Sequence, residues 1–533
     1  TFDKPNKQSV YIADSNASVP HRNIVEIISI DDHCEKNICR NFHFDNITEF
    51  ALFDLKAKVR ISEEQPPTYE LSSPVEYDAL IFENSTFANF PIHFFYSLWV
   101  KELDMRNCSV EHLSWENFLM ASELRNLLLS ENKLDRIDEM TFYYATKLQF
   151  LFLDSNRIRS LVSESFKGLT ELRFLDLHRN RLEELPEGLF DPCPNLQELN
   201  LAENRLHVLK AEAFSGIPNI LTLLLHQNRL RDISEFVFKE QRRIMLLDVS
   251  RNPHLETLIV NLNAKYLIAS NCSLYKVNIY GKINNVDMRY NRILELYFSQ
   301  PQDLESLDLR NNALQQISSL ARATKLRSLE LGDNPELGSL PDPWTLQSLE
   351  RLDLSNTGMT ELPMSSLTSS GQLRFLNISG NRIREVNPRH FKVLENLTHF
   401  YIHANEWNCF NLKMLMDLLI TPNKMYYNHD IFSGDFPGEY INGIACMYRL
   451  PNPNEDENIM QPQSQNYIVL SKTSPINDSL EEVRNLRKEL KSIVSFYEEK
   501  FSKAFSMIMD LQKRIHEFEK LNDTMWQHIT ITT

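Results

Sequence analysis

Residues 124–134 read LRNLLLSENKL and residues 148–158 read LQFLFLDSNRI, one apolar frame displaced by 24 residues. Leu124, Leu127, Leu129, Asn132 and Leu134 return as Leu148, Leu151, Leu153, Asn156 and Ile158. The asparagine then recurs at the same interval as Asn180, Asn204, Asn228 and Asn252. A period near 20–25 residues means that each unit is one supersecondary element, unable to bury its apolar face alone and stacked on its neighbours.

Working outward, AKYLIASNCSLYKV (264–277) puts Cys272 in the asparagine slot, with Leu267 and Leu274 in their places. The row continues through Asn291, Asn312, Asn334, Thr357, Asn381 and Asn405, and upstream through Cys108 to a weaker match at Ser85. This is about fifteen units of a leucine-rich repeat, whose pattern admits Asn or Cys at this position. The expected fold is α/β: a horseshoe-shaped solenoid with a parallel sheet on its concave face.

The slot has a chemical logic. Each coil turns from a short strand into the interior and leaves backbone groups without ladder partners. An inward amide both donates to and accepts from neighbouring coils, and Cys or Thr is small enough to fit while keeping a donor. Cys108 and Cys272 lie seven coils apart, or about 34 Å at strand spacing, far beyond disulfide reach. Both are expected to be buried structural thiols. The interval falls from 24 to 20, 19, 21, 22 and 23 after Asn252 before returning to 24. The concave strand cannot shorten much, so the lost residues come from the convex side. Segments such as AEAFSGIPNIL should turn helically there, whereas NIYGKINNVDM should cross in extended backbone.

A solenoid needs lids. Cys34 and Cys39 are close enough to pair in a front cap, and Cys409, straight after the last repeat, has Cys446 as its only later partner. Two bridges fit an oxidising compartment; the alternative is a reduced, cytosolic set. Cys193 sits at an apolar position, expected to be packed rather than reactive. Sequons begin at Asn16, Asn46, Asn84, Asn107, Asn271, Asn377, Asn396, Asn477 and Asn522, so N-glycans are expected. The resulting organisation is a polar segment (1–33), a front cap (34–75), repeats (76–407), a rear cap (408–447), a linker (448–478) and a helix (479–528). In that helix Leu486, Leu490, Ile493, Tyr497, Ile508, Leu511, Ile515 and Phe518 form an apolar stripe at three- and four-residue spacing. Such a stripe suits a coiled coil with a related chain or a second copy; a helix folded back on its own domain is the plainer reading.

The composition excludes several classes. A net charge of −16 opposes non-specific attraction to nucleic acid or anionic membrane. No apolar window is long enough to span a bilayer. The chain has 12 glycines and no G-x-G, and Gly438 to Gly443 runs on into Ile444 and Ala445 rather than Lys and Ser/Thr, so nucleotide chemistry is not expected. No cofactor is implied. His399 and His403 lie four residues apart on a strand, about 13 Å, too far to share one metal ion. No Ser/His/Asp or Cys/His constellation emerges, so no enzyme is expected. Binding instead belongs to outward positions of the concave strands. Leu128, Phe150, Phe152 and Phe174 form one apolar group there, and Leu224, Leu246, Tyr266 and Ile268 another. Asp287, Asp308, Glu330 and Asp353 make an acidic column, and Tyr401 faces the same side. Exposed apolar residues mark interaction surfaces; stacking between coils is the alternative, and a solvated face the alternative for the acids.

The order of parts resembles the mosquito leucine-rich repeat immune proteins, in particular the Plasmodium-responsive leucine-rich repeat branch. The resemblance rests on the short cysteine cap, the repeats that shorten midway, ALIFENSTFANFP (79–91), the cap entry NEWNCFNL (405–412) and the helical tail. It implies a secreted haemolymph protein that pairs with a related chain and binds a complement-like, thioester-containing protein in defence against parasites and bacteria. The tail is shorter than that family's, and the extra cysteines of its cap and interchain bridges are missing. A Toll-like or adhesion receptor ectodomain is the alternative.

Overall fold

The computed structural model describes residues 98–448 except 243, 342, 343, 345, 363, 421–427 and 435, together with 28–29, 34–35, 38–42, 52–53, 75–82, 87, 90 and 94–96. The chain divides into Thr1–Tyr448 and Arg449–Thr533. The second unit, and with it the linker from 449 and the helical stripe from Leu486 to Phe518, lies outside the described residues, as do Ser85 and the polar segment apart from Ile28–Ser29.

One parallel sheet runs in chain order from Val75–Phe82 through Leu98–Asp104, Asn126–Leu128, Phe150–Phe152 and onward to His399–Tyr401, each strand paired with the next. Register is conserved from coil to coil: Leu127, Leu151, Leu175, Leu199 and Leu223 are successive partners. These leucines point inward and are fully buried, while their neighbours on either side stay half-exposed except Asp176, which is buried. Three-residue strands suffice because one inward leucine per strand anchors each coil. The solenoid holds about 13 complete turns, fewer than the fifteen units read from sequence.

At the front, Cys34–Glu35 and Ile38–Phe42 form an antiparallel hairpin with Cys34 opposite Cys39, and the second strand joins the parallel sheet beside Val75–Phe82. Nothing further is described of these two cysteines' side chains. At the rear, Trp407 is buried and its indole donates to the Ile402 carbonyl at 2.8 Å. The helix Cys409–Ile420 follows, then the hairpin Glu439–Ile441 and Ile444–Cys446, and a Cys409–Cys446 disulfide ties the two together.

The convex side changes with unit length. In the 24-residue units it is a run of tight turns with amides bonding three residues back, as from Ala145 to Phe142 and from Ile217 to Phe214, and it closes into short helices at Trp115–Phe118, Met364–Leu367 and Pro388–Val393. Phe166, Phe190, Phe214 and Phe238 stack there at 6.1–6.2 Å between centroids. In the 19–21-residue units the backbone is extended: Thr257–Asn261, Lys276–Tyr280 and Glu295–Phe298 form a second parallel sheet. Fewer residues must cover the same path, so the turns are pulled straight.

Each coil enters the interior through a left-handed residue. Glu131, Ser155, Arg179, Glu203, Gln227, Arg251 and Tyr290 all have φ of 54–58° just before a ladder residue. A left-handed non-glycine residue costs about 1–2 kcal/mol, and the ladder offsets it. The Asn132 carbonyl oxygen accepts from the Cys108 and Val110 amides at 3.0 and 2.9 Å, and its amide donates to the Met105 and Leu129 carbonyls at 2.8 and 3.0 Å. Asn156, Asn180, Asn204, Asn228, Asn252, Asn291, Asn312, Asn334, Asn381 and Asn405 donate to neighbouring and own-coil carbonyls in the same way. Thr357 donates to the Leu354 carbonyl at 2.7 Å. The Cys108 thiol meets the Arg106 carbonyl at 3.4 Å. Cys108, Cys193 and Cys272 form no disulfide among the described residues; Cys108 and Cys193 are buried, whereas Cys272, expected to be buried as well, is half-buried.

Candidate functional site on the concave face

Outward residues of adjacent strands form columns. Phe150, Phe174 and Glu198 are consecutive partners in one; Leu128, Phe152, Asp176 and Asn200 are consecutive in the next. The rings of Phe152 and Phe174 lie 4.9 Å apart and those of Phe150 and Phe174 6.3 Å apart, all half-buried. The cluster is therefore both an inter-coil stack and a surface open to solvent. Leu246 and Tyr266 pair in register, but Glu198 and Thr222 separate them from Phe174 in the column. Tyr401 belongs to a third group, with its ring 5.3 Å from Phe375. The structure thus joins the first aromatic group and keeps the others apart.

The acidic column behaves differently from the open row expected of it. Arg289 bonds Asp287, and Arg310 bonds Asp308, each through two nitrogens. Arg289 also approaches Asp308 at 3.4 Å. Arg351 bonds the Glu330 carboxylate, and Asp353 accepts from the Ser355 hydroxyl at 2.7 Å. Three of the four acids are thus bonded to arginines and Asp353 to a serine hydroxyl, so most of the column is paired within the chain. The signal was available: Asp-x-Arg at 287–289 and 308–310 places both side chains on one face of a strand.

Uncompensated acids lie instead beside the aromatic group, where no residue had been singled out. Asp154 is held by the Ser130 hydroxyl, and no lysine or arginine pairs with it among the described residues. Burial, followed by the neighbouring Asp176 charge, pushes its carboxyl above the usual range against the hydrogen bond from Ser130. Burial alone raises Glu198, which has no partner among the described residues. Asp176 accepts from Asn200 at 3.3 Å and lies 2.7 Å from His178 Nδ1. Burial opposes the imidazolium of His178, yet Asp176 and Asp154 outweigh it and raise its pKa. Asp154, Asp176 and His178 each offer one ligand atom within 4.8 Å of the others, a donor set that could take a cation. Perturbed acids in a concave face are characteristic of functional sites.

Among the described residues no helix is long and apolar enough to cross a membrane. The leucine-rich repeat family model matches residues 100–158, 122–182, 146–206, 194–253 and 346–418. Nephrocan of Mus musculus is 32% identical over 120 residues, covering 22% of this chain and 23% of nephrocan. Lumican of Mus musculus is 28% identical over 177 residues, covering 30% of this chain and 52% of lumican. The chain thus spans about half or less of the curated relatives it matches. The solved APL1 leucine-rich repeat domain superposes with a TM-score of 0.53 at 20% identity, over 80% of this chain and 97% of that one. The LRIM1/APL1C complex superposes with 0.51 at 18%, over 90% and 78%. At these identities the two structures are likenesses of fold. By its repeats and its parallel solenoid the chain carries the leucine-rich repeat fold, and the family model matches it over residues 100–253 and 346–418.

Proposed function

We propose that this chain is a secreted scaffold of innate immunity that binds protein on its concave face. It pairs with a related leucine-rich repeat chain, or with itself, through the helical segment 479–528, and engages a complement-like thioester protein in haemolymph. The observation that carries the binding role is the half-buried cluster of Phe150, Phe152 and Phe174 beside Asp154 and Glu198. A scaffold with no ligand gains nothing from keeping these groups on one face, since burying unpaired acids works against stability.

Secretion is supported by the Cys409–Cys446 bridge and by the exposed sequon residues Asn107 and Asn271. Pairing is supported by the likeness of fold to a chain of the LRIM1/APL1C complex. The test is to express the full chain in insect cells alone and with related chains, weigh the secreted species, and capture thioester protein from haemolymph. We expect a hetero-oligomer whose capture is lost in Phe150→Ala/Phe152→Ala. A secreted monomer with undiminished capture by that variant overturns the reading.

A further inference from the structure

The concave face has two halves that handle acid differently. Asp287, Asp308 and Glu330 each have an arginine partner within the chain, whereas Asp353, like Asp154, is held by a serine hydroxyl. One of those pairings has a distinctive form. Arg351 bonds Glu330 on the preceding coil and lays its guanidinium over the Phe375 ring of the following coil, 3.6 Å from the centroid. The cation is thus held between a carboxylate and an aromatic face, a geometry suited to a planar guanidinium.

The coils from Asn126 to Asn200 carry the same two components without the cation. Phe174 is flanked by Phe150 and Phe152, and its register partner on the next coil is Glu198. Asp154 and Asp176 lie next to the same rings along the strands. The nearby arginines are already engaged: Arg106 is doubly bonded to Asp104, and Arg179 to Glu203 at 2.9 Å. His178 supplies the only compensation for Asp176 among the described ion pairs. Arginine is also the side chain that most often anchors an interface beside aromatic residues.

We propose that Phe174 and Glu198, with Phe152 packed against Phe174, form the seat for an arginine of an extended basic segment on a partner protein, held as Arg351 is held by Glu330 and Phe375, and that Asp154, farther along the same face, meets a second basic residue of that segment. This deepens the reading of the concave face as a protein-binding surface and rests on it. Because Phe174 has Glu198 as its register partner, a guanidinium stacks and bonds at once, whereas an ammonium satisfies only the charge.

The test uses the secreted full chain and fluorescein-labelled hexa-arginine and hexa-lysine, read by anisotropy at about 0.15 M salt. The variants are Asp154→Asn/Glu198→Gln, Phe152→Leu, and a control with equal charge loss elsewhere, Glu171→Gln/Glu187→Gln. Melting curves establish that each is folded. We expect hexa-arginine to bind the wild type and the control alike, about tenfold more weakly to the double carboxamide, and about fivefold more weakly to Phe152→Leu. Hexa-lysine should bind more weakly and be insensitive to Phe152→Leu. Equal binding by all four proteins overturns the seat, while the wider reading still stands or falls on thioester-protein capture. A calcium or zinc titration that raises the wild-type melting temperature but not that of Asp154→Asn, with hexa-arginine without effect, also overturns it and assigns the acids to an ion.

Discussion

The Cys272 thiol points at the Val249 carbonyl at 3.5 Å, the place in the preceding coil where a ladder asparagine would direct its amide. Its second contact is the Ser270 carbonyl at 3.6 Å. The residue is half-buried, and burial pushes the thiol up to about 11. Cys193, fully buried, is pushed up to about 12. At pH 8 the Cys272 thiolate is then roughly a thousandth of the population, and only the thiolate is nucleophilic. Iodoacetamide at pH 8 should leave Cys108, Cys193 and Cys272 unmodified in the native chain and alkylate all three in guanidinium. Peptide mass spectrometry reads the sites; native labelling of Cys272 contradicts the account.

Asn180 tests the ladder more directly. It accepts from the Ile158 amide at 3.0 Å and donates to the Leu153 and Leu177 carbonyls at 2.9 and 3.0 Å. Asn180→Ala leaves these groups buried without partners and should cost about 2–4 kcal/mol in urea unfolding. Asn180→Cys keeps a donor, as Cys272 does, and should lose about half as much. Equal losses would mean that the slot matters only for its volume.

The repeat was legible in the sequence because inward leucines and the asparagine follow a strict period, and a period survives without any knowledge of the partner strand. The extended convex crossing at 257–298 was legible for a related reason: nineteen residues cannot build the same turns as twenty-four. The left-handed residues were not. Glu131, Arg179 and Tyr290 share no side-chain preference for that conformation, which the ladder imposes from outside. In the candidate site the aromatic positions were visible from strand alternation. The contrast between Asp308, bonded to Arg310, and Asp154, which no lysine or arginine bonds among the described residues, was missed. It depends on which charges neighbouring coils bring together, though Asp-x-Arg spacing carried part of the signal.

Removing the rear bridge should act locally. Cys409 and Cys446 are 37 residues apart, and a loop of that length stabilises by roughly 3–4 kcal/mol in the chain-entropy picture. Cys409→Ser/Cys446→Ser should expose Trp407 and the last coil, since stability in a solenoid is transmitted between neighbours. Hydrogen exchange should rise over Cys409–Ile420 and His399–Tyr401 and stay unchanged near Phe150. Uniform loss of protection would show that the solenoid unfolds as one unit.

The acids of the candidate site make a pH prediction of definite sign. Asp154 and Glu198 have folded pKa values above their unfolded ones, so their ionised forms weigh against the fold. That penalty is absent below about pH 4 and complete once the pH has passed the raised values. Asp154→Asn and Glu198→Gln should each add about 0.5–1 kcal/mol at pH 7 and nothing at pH 4. His178 works the other way. Its raised pKa gives stability that is present below about pH 6.5 and fades as the pH climbs through the folded value. Urea unfolding from pH 5.5 to 8.5 should show this slope, reduced in His178→Gln; an unchanged slope separates the ring from Asp176.

Arg351→Ala reproduces in the second half of the face the situation proposed for the first. It leaves Glu330, almost fully buried, with only the Ser328 hydroxyl at 3.2 Å, and it uncovers the Phe375 ring. Breaking a pair whose arginine is itself half-exposed should cost about 1–3 kcal/mol, less than for two buried charges. The carboxylate and ring that remain form an arginine seat, so millimolar N-acetyl-argininamide should recover part of the lost melting temperature, and the lysine analogue less of it. If both recover it equally, charge alone governs the pairing and the aromatic face contributes nothing. If neither does, Glu330 relaxes into another arrangement once its partner is gone. The wild type, with Arg351 in place, should show no such response at this end of the face.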